Sequence, residues 1–368
     1  MARSNTLPRQ QSPTDAPDAA STIAGPRWRR VARRARRWVR NGLLGLLVLV
    51  ATATLAGQVQ QYRLQRAHPP AGQMIEIGDH SLHVVRAGEG ASVVFENGTG
   101  GMALDWSLVQ PALARQAGTF AYDRAGMGWS EPGPRPRTID VLVEELREAL
   151  QASGTPAPYV LVGHSFGGLL VRTYAYTYPE EVVGLVLVDA SHEDQFDIYP
   201  EEYLADGRRM IATMNRFRPA VRLINASGIP ALVGGPAVDG IERLPADAAA
   251  ARRAVGVMDS SQAVTTIDEM VVLEDDVEIV RSRRRPLGDI PVIVITRGET
   301  DGATMGIPAE SEDEIHAAWL RMQQDLLTIS ADSTLVIAEG SGHNVHVERP
   351  ELVIDAVRQV LSRVENSG

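Results

Sequence analysis

Tyr159-Val160-Leu161-Val162-Gly163-His164-Ser165-Phe166-Gly167-Gly168 is the stretch on which the fold turns. The four residues before Gly163 are an apolar run, and helix-like sequence follows from Gly168 to Tyr178. A G-x-S-x-G pentapeptide between a strand and a helix is a nucleophile elbow. Its turn is so sharp that the serine takes strained backbone angles and its hydroxyl stands above the sheet edge. Glycines flank that serine because strand and helix backbones nearly touch there, which leaves no room for a Cβ. The pentapeptide alone says little, since glycine and serine are common. The strand–turn–helix context carries the assignment.

A serine nucleophile needs a base, and the base needs an orienting acid. Pro291-Val292-Ile293-Val294-Ile295-Thr296 reads as a buried strand running into the polar turn Arg297-Gly298-Glu299-Thr300-Asp301-Gly302. Ser333 to Ala338 reads as another strand and ends in Glu339-Gly340-Ser341-Gly342-His343-Asn344. A histidine on such a Gly/Ser loop reaches back to a serine at the same sheet edge, so His343 is the candidate base. Three carboxylates compete for the acid: Asp301, Glu299, and Asp189 at the end of the strand Gly184-Leu185-Val186-Leu187-Val188.

With these motifs in order, the chain resembles the α/β-hydrolase superfamily over about residues 74–365. Gly298-Glu299-Thr300-Asp301 resembles the family's G-x-x-D acid turn, and Gly342-His343 through Glu348-Arg349-Pro350-Glu351 its histidine loop and final helix. Tyr122-Asp123-Arg124-Ala125-Gly126-Met127-Gly128-Trp129-Ser130 resembles the D-x-x-G-x-G-x-S loop after the fourth strand. The resemblance implies a mostly parallel eight-stranded sheet with helices on both faces and a helical cap over the serine. It implies a triad of Ser165, Asp301 and His343, the G-x-x-D spacing favouring Asp301, although some members carry the acid on the earlier strand, as at Asp189. In one respect the chain departs from the family. Asn97-Gly98-Thr99-Gly100-Gly101 follows the strand Ser92 to Glu96 where His-Gly is usual. Because the oxyanion donors are backbone N–H groups, Thr99 and Phe166 are expected to supply them, with Gly98 and Gly100 as neighbours able to replace Thr99. Asp123 and Arg124 are expected to stabilise their own loop, and His164 to pack under the elbow. The epoxide hydrolases and haloalkane dehalogenases of the superfamily use aspartate where this chain has Ser165, and a serine implies acyl transfer through an acyl-enzyme. The chain has no cysteine, no H-E-x-x-H and no Walker loop, so no metal or other cofactor is expected.

The chain of 368 residues carries a formal net charge of −10. All of its basic side chains are arginine, and ten of them with only two acids fall in residues 1–40. The remainder is acidic, which argues against a nucleic-acid partner. The basic segment 1–41, expected to be disordered, leads into a charge-free apolar run over 42–59. Eighteen helical residues span about 27 Å, enough to cross a bilayer. Arginines on its N-terminal side predict a signal anchor with the N-terminus cytoplasmic and the catalytic body outside the cell. A signal peptide cleaved near Ala53 or Ala56 is the alternative. Residues 60–73 read as a polar tether, 74–189 and 289–365 as the catalytic core, and 190–288 as the cap.

In the cap, Met210, Met214, Met258 and Met270 read as its core or as pocket lining, and Arg281-Ser282-Arg283-Arg284-Arg285 as a solvated basic face. The expected function is hydrolysis of a small apolar carboxylic ester, lactone or thioester. A proline-iminopeptidase-like aminopeptidase, a carbon–carbon bond hydrolase, a cofactor-free peroxidase, or a ligand-binding receptor on the same fold are the alternatives.

Overall fold

The computed structural model describes residues 26–234, 240–258, 261–300 and 311–367. The described residues divide after Ala53 into two units. The first described element is a single helix, α1 (Pro26–Ala67), which is long and apolar enough to cross a membrane. Helix continues to Ala67, where a loose tether was expected from residue 60. Within the second unit this stretch is packed: Gln61 Nε2 donates to the carbonyls of Asn225 and Val257, at 3.3 and 3.0 Å.

Eight strands follow in the order β1-β2-β4-β3-β5-β6-β7-β8, as expected for the fold class. They are β1 (Gln73–Ile77), β2 (His80–Ala87), β3 (Ser92–Glu96), β4 (Gly118–Tyr122), β5 (Tyr159–His164), β6 (Val182–Val188), β7 (Val292–Arg297) and β8 (Ser333–Ala338). β1 and β2 form an antiparallel hairpin, and β2 also runs antiparallel to β4. All other pairings are parallel. Every residue of β3, β5 and β7 is buried, which explains their apolar runs Val93 to Phe95, Tyr159 to Val162 and Val292 to Ile295: a parallel sheet is covered on both faces.

Alternate residues of each strand face different layers. Val94, Leu161, Leu185 and Val294 join the core under α3 (Ile139–Ala152) and α4 (Phe166–Thr177). Val93, Val162, Val186 and Ile293 join the opposite core, closed by Val353, Ala356, Val357 and Val360 of the C-terminal helix Pro350–Ser367. Each such buried aliphatic side chain contributes roughly 1.5–3 kcal/mol. In α3, Ile139, Leu142, Val143, Leu146, Ala149 and Leu150 make a buried stripe at helical spacing.

Between β6 and β7 the chain makes five α-helices and the 3-10 turn Ile241–Arg243 among the described residues. In chain order the α-helices are α5 (Gln195–Ile198), α6 (Glu201–Ala226), α7 (Pro230–Val233), α8 (Ala246–Met258) and α9 (Ser261–Arg283). α9 enters the main core through Val277 and Val280. Met258 packs with Met102, Ala254 and Val255, whereas Met210 is exposed. The basic run at the end of α9 is not a free solvated face. Arg281 pairs with Asp194, Asp197 and Glu278, Arg283 with Asp140, and Arg284 with Glu193 and Asp325. These pairs tie the returning helix to the loop that leaves β6 and to α3.

α9 also caps α3. Asp276 is fully buried, and its Oδ1 accepts the Ile139 N–H at 2.9 Å, while Oδ2 has no partner among the described residues. Burial pushes its carboxyl up to about 7, against the pull of the Ile139 N–H and with help from Asp140, Asp275 and Glu269. A carboxyl raised in the folded state gives stability that is complete below its unfolded pKa and is lost as pH rises through the folded value. Wild type should therefore lose on the order of 1–3 kcal/mol between about pH 4 and pH 8 that Asp276→Asn does not lose. Denaturant titrations of both proteins across that range measure the difference, and parallel pH profiles would contradict it.

Candidate active site

The parallel strands bring their carboxyl ends to one edge of the sheet, where ligands of open α/β sheets bind. Ser165 follows β5 at the middle of that edge, with φ 53° and ψ −122°, a strained conformation for a non-glycine residue. Three backbone bonds hold it there: its N–H donates to Val188 O at 3.1 Å, and its carbonyl accepts from Gly168 and Ser191 at 2.8 and 2.9 Å. A Cβ on Gly163 would lie 2.5 Å from the Gly167 carbonyl oxygen, and one on Gly167 would lie 2.6 Å from that of Glu96. These contacts are the reason that only glycine fits on either side of the serine.

His343 lies on the loop after β8, its ring 4.7 Å from that of His164, the residue before Ser165. Its Nδ1 is 2.6 Å from Oδ2 of Asp189. The sequence reading preferred Asp301, which lies outside the described residues, and weighed Asp189 as the competitor. The described partner of the imidazole is Asp189, and its surroundings account for that. Its carboxylate is fully buried and also accepts from the Arg297 backbone N–H and Nη1 (both 2.9 Å), Trp319 Nε1 (2.7 Å) and Thr296 Oγ1 (3.3 Å). Burial alone would raise its pKa, but the Arg297 charge and the His343 hydrogen bond hold it at about 2. Arg297 in turn stacks 4.3 Å over the Trp319 ring. Sequence reasoning missed both. Arg297 read as the start of a turn, and Trp319 belongs to the apolar stripe of α10 (Glu312–Asp325), with no signal that its indole N–H meets a carboxylate.

Two neutral histidines flank His343. His164 and His346 have ring centroids 4.3 Å apart. Burial depresses the pKa of both: His164 falls well below the usual range and His346 to about 4. His164 Nε2 meets the His343 carbonyl at 3.0 Å, so it holds the histidine loop instead of merely filling space under the elbow. His346 sits in the short helix Val345–Glu348, against Trp106.

The loop 97–101 faces Ser165 from β3. A Cβ on Gly98 would lie 3.1 Å from Ser165 Cβ. Thr99 is exposed, and Phe166 begins α4, where the first N–H groups have no intrahelical acceptor. Asn97 Nδ2 donates to Tyr122 O at 3.0 Å, so the side chain replacing the usual histidine is a structural tie. Asp123 is wholly buried and accepts from His83 Nδ1 (2.8 Å), Ala103 N (2.7 Å) and Trp129 N (3.0 Å), the loop-stabilising part expected of it. Gly128 is glycine because φ is 57° and a Cβ would lie 2.0 Å from the Asp123 carboxylate. Arg124 behaves otherwise: it leaves its own loop and reaches the carbonyls of Asn97 and Gly98.

Beside the serine is a cleft of about 180 Å³, lined by Gly98, Thr99, His164, Asn344 and His346 and roofed by Ile241, Leu244 and Arg252. A nucleophile-type serine, a carboxylate-oriented imidazole, the N–H groups at the start of α4 and a small adjoining cleft can together carry acyl transfer.

Comparison with known proteins agrees with the fold. The profile of the alpha/beta hydrolase family matches residues 93–356. The Bacillus subtilis (strain 168) protein YqjL is 25% identical over 284 residues, covering 76% of this chain and 87% of its own. Among solved structures, an epoxide hydrolase from Bacillus megaterium superposes with a TM-score of 0.57 at 21% identity, over 79% of this chain and all of its own. A thermophilic esterase from Thermogutta terrifontis superposes with a TM-score of 0.55 at 19% identity, over 80% of this chain and 99% of its own. At such identity these structures speak for the fold alone. With the family profile running from β3 through β8 and covering the elbow and the histidine loop, this chain belongs to the alpha/beta hydrolase family.

Proposed function

We propose that this hydrolase cleaves small carboxylic esters through an acyl-enzyme on Ser165, with His343 as base and Asp189, in place of Asp301, as the orienting acid. The observation that carries the reading is the 2.6 Å contact between His343 Nδ1 and an Asp189 carboxylate held at about 2. An ionised partner on Nδ1 keeps the proton there, which makes Nε2 the basic nitrogen that accepts one. Ser165 Oγ attacks the ester carbonyl as its proton passes to His343 Nε2. The carbonyl oxygen becomes an oxyanion that the N–H of Phe166 and one from the loop, Thr99 or its neighbour Gly98, stabilise. Collapse of the intermediate expels the alcohol, which takes the proton from His343. Water, deprotonated by the same nitrogen, then releases the acid and regenerates the serine.

The size of the adjoining cleft supports short acyl groups. A volume of about 180 Å³ lies below the range usual for drug-sized ligands, and its walls mix Ile241 and Leu244 with Asn344 and the Asp105–Arg252 pair. The apolar length of α1 supports a membrane anchor, and the arginine-rich segment before it supports a cytoplasmic N-terminus with the hydrolase unit on the far side.

Ser165→Ala should abolish both ester turnover and labelling by a fluorophosphonate. Asp189→Asn should lower kcat by about 10³–10⁴-fold, because an amide favours the wrong imidazole tautomer. Asp301→Asn should cost far less. Steady-state rates of the three variants decide the matter, and a larger loss in Asp301→Asn would return the acid to the later turn.

Rates on p-nitrophenyl esters should peak at short chains and fall toward palmitate, since each methylene accepted or refused is worth about 1 kcal/mol. A maximum at palmitate would instead indicate a lipase. After a high-salt wash the full chain should remain with membranes, because burial of an apolar helix is not screened by salt. Its appearance in the supernatant would contradict the anchor.

A further inference from the structure

Arg124 is a wholly buried cation whose five N–H donors all meet acceptors. Nη1 donates to Glu96 Oε1 at 2.6 Å and to Asn97 O at 2.7 Å, while Nη2 donates to Gly98 O at 2.8 Å. The two remaining donors make a bidentate pair with Glu269 of α9, at 2.9 and 3.0 Å. Glu96 accepts from the Tyr122 hydroxyl as well, which leaves it fully engaged. A second hold comes from the same layer of helices. Gly100 O accepts from Arg252 Nη2 on α8 at 3.1 Å and from Gln262 Nε2 on α9 at 3.4 Å.

Peptide geometry gives these contacts a consequence. In a trans peptide the carbonyl and the following N–H point in opposite directions across one rigid plane. The carbonyl of Asn97 shares its plane with the N–H of Gly98, and that of Gly98 with the N–H of Thr99. Holding both oxygens on the Arg124 side turns both N–H groups away from Arg124. These are the two candidate loop donors for the oxyanion. Rotation of either plane would strand a buried guanidinium N–H, which is costly.

We propose that the helices between β6 and β7 clamp the 97–101 loop through Arg124 and Glu269, so that both are positioning residues which set the direction of the oxyanion donor. The proposal rests on the acyl-transfer reading of Ser165. Displacement of α9 would release Glu269, loosen Arg124 and free the peptide planes, and so would couple the position of these helices to turnover.

The test compares an ester with its thionoester in the full chain, since sulfur is a poor acceptor for an oxyanion donor. Wild type should prefer the oxygen ester strongly. Glu269→Gln should lower kcat on the ester by about 10–100-fold with KM nearly unchanged, and should shrink the ester-to-thionoester ratio, because donor alignment and not binding is lost. Glu269→Asp keeps the buried charge but shortens its reach to Arg124, and should show the same pattern at smaller size, so the test survives a failure of Glu269→Gln to fold. A variant that folds and keeps the wild-type ratio overturns the clamp. A wild-type chain that cleaves neither substrate overturns acyl transfer itself, and with it any catalytic part for the clamp.

Discussion

The Asp189 carboxylate is the constraint around which the catalytic edge is arranged. An isolated buried carboxylate would pay several kcal/mol in lost hydration. Here donors from β7, from α10 and from the loop after β8 converge on it, and the Arg297 charge lies within 2.9 Å. Asp189 itself sits at φ 41°, an unfavourable backbone for a side-chain-bearing residue. Strand end, partner strand, helix and histidine loop must all be in place before that strain and desolvation are offset. Assembly of the sheet and orientation of His343 are thus the same event.

Topology explains why the insertion between β6 and β7 lies so near this centre. The chain leaves the sheet directly after Asp189 and returns just before the strand that delivers Arg297. Whatever is inserted must begin at the edge where the serine stands, and because β6 and β7 are parallel its last helix must carry the chain back to the opposite edge, where β7 starts. The exit is pinned by Arg172, buried against Glu193 at 2.6 Å, and the return by Arg284, which shares the same Glu193 at 3.0 Å. One carboxylate therefore anchors both ends of the insertion, which limits how far its helices can travel as a body.

Much of this was legible in the sequence, for physical reasons that can be named. The sheet was readable because strands buried on both faces must be continuously apolar, as in Val292 to Ile295. The elbow was readable because its glycines answer to a steric demand between Gly163 and Gly167 that no other residue meets. Asp123 and Gly128 were readable together for the same reason. The described carboxylate partner of His343 was not, because Asp189 and Asp301 each end a strand of this sheet in sequence terms. What separates them, Arg297 and Trp319 arriving from 108 and 130 residues away, leaves no local pattern. Arg124 was misread on similar grounds. Nothing around Tyr122-Asp123-Arg124 foretells a partner 145 residues later on α9. The helix through residue 67 escaped because its last turns are mostly exposed and polar, and the long-range bonds of Gln61 to Asn225 and Val257 leave no local pattern.

The absence of lysine then takes on structural meaning. Every buried cation that organises the edge is an arginine: Arg124 under the 97–101 loop, Arg172 at the exit of the insertion, Arg252 beside Asp105, Arg297 on Asp189. Guanidinium is weakly hydrated and planar, with donors fixed in a fork, so it can be buried between a bidentate carboxylate and backbone carbonyls at once. An ammonium offers three donors from one point and keeps a tightly held water shell. At Arg124 it could satisfy Glu269 or the two loop carbonyls, but not both directions together. The link between helix α9 and the peptide planes facing Ser165 therefore depends on the shape of the arginine side chain as much as on its charge.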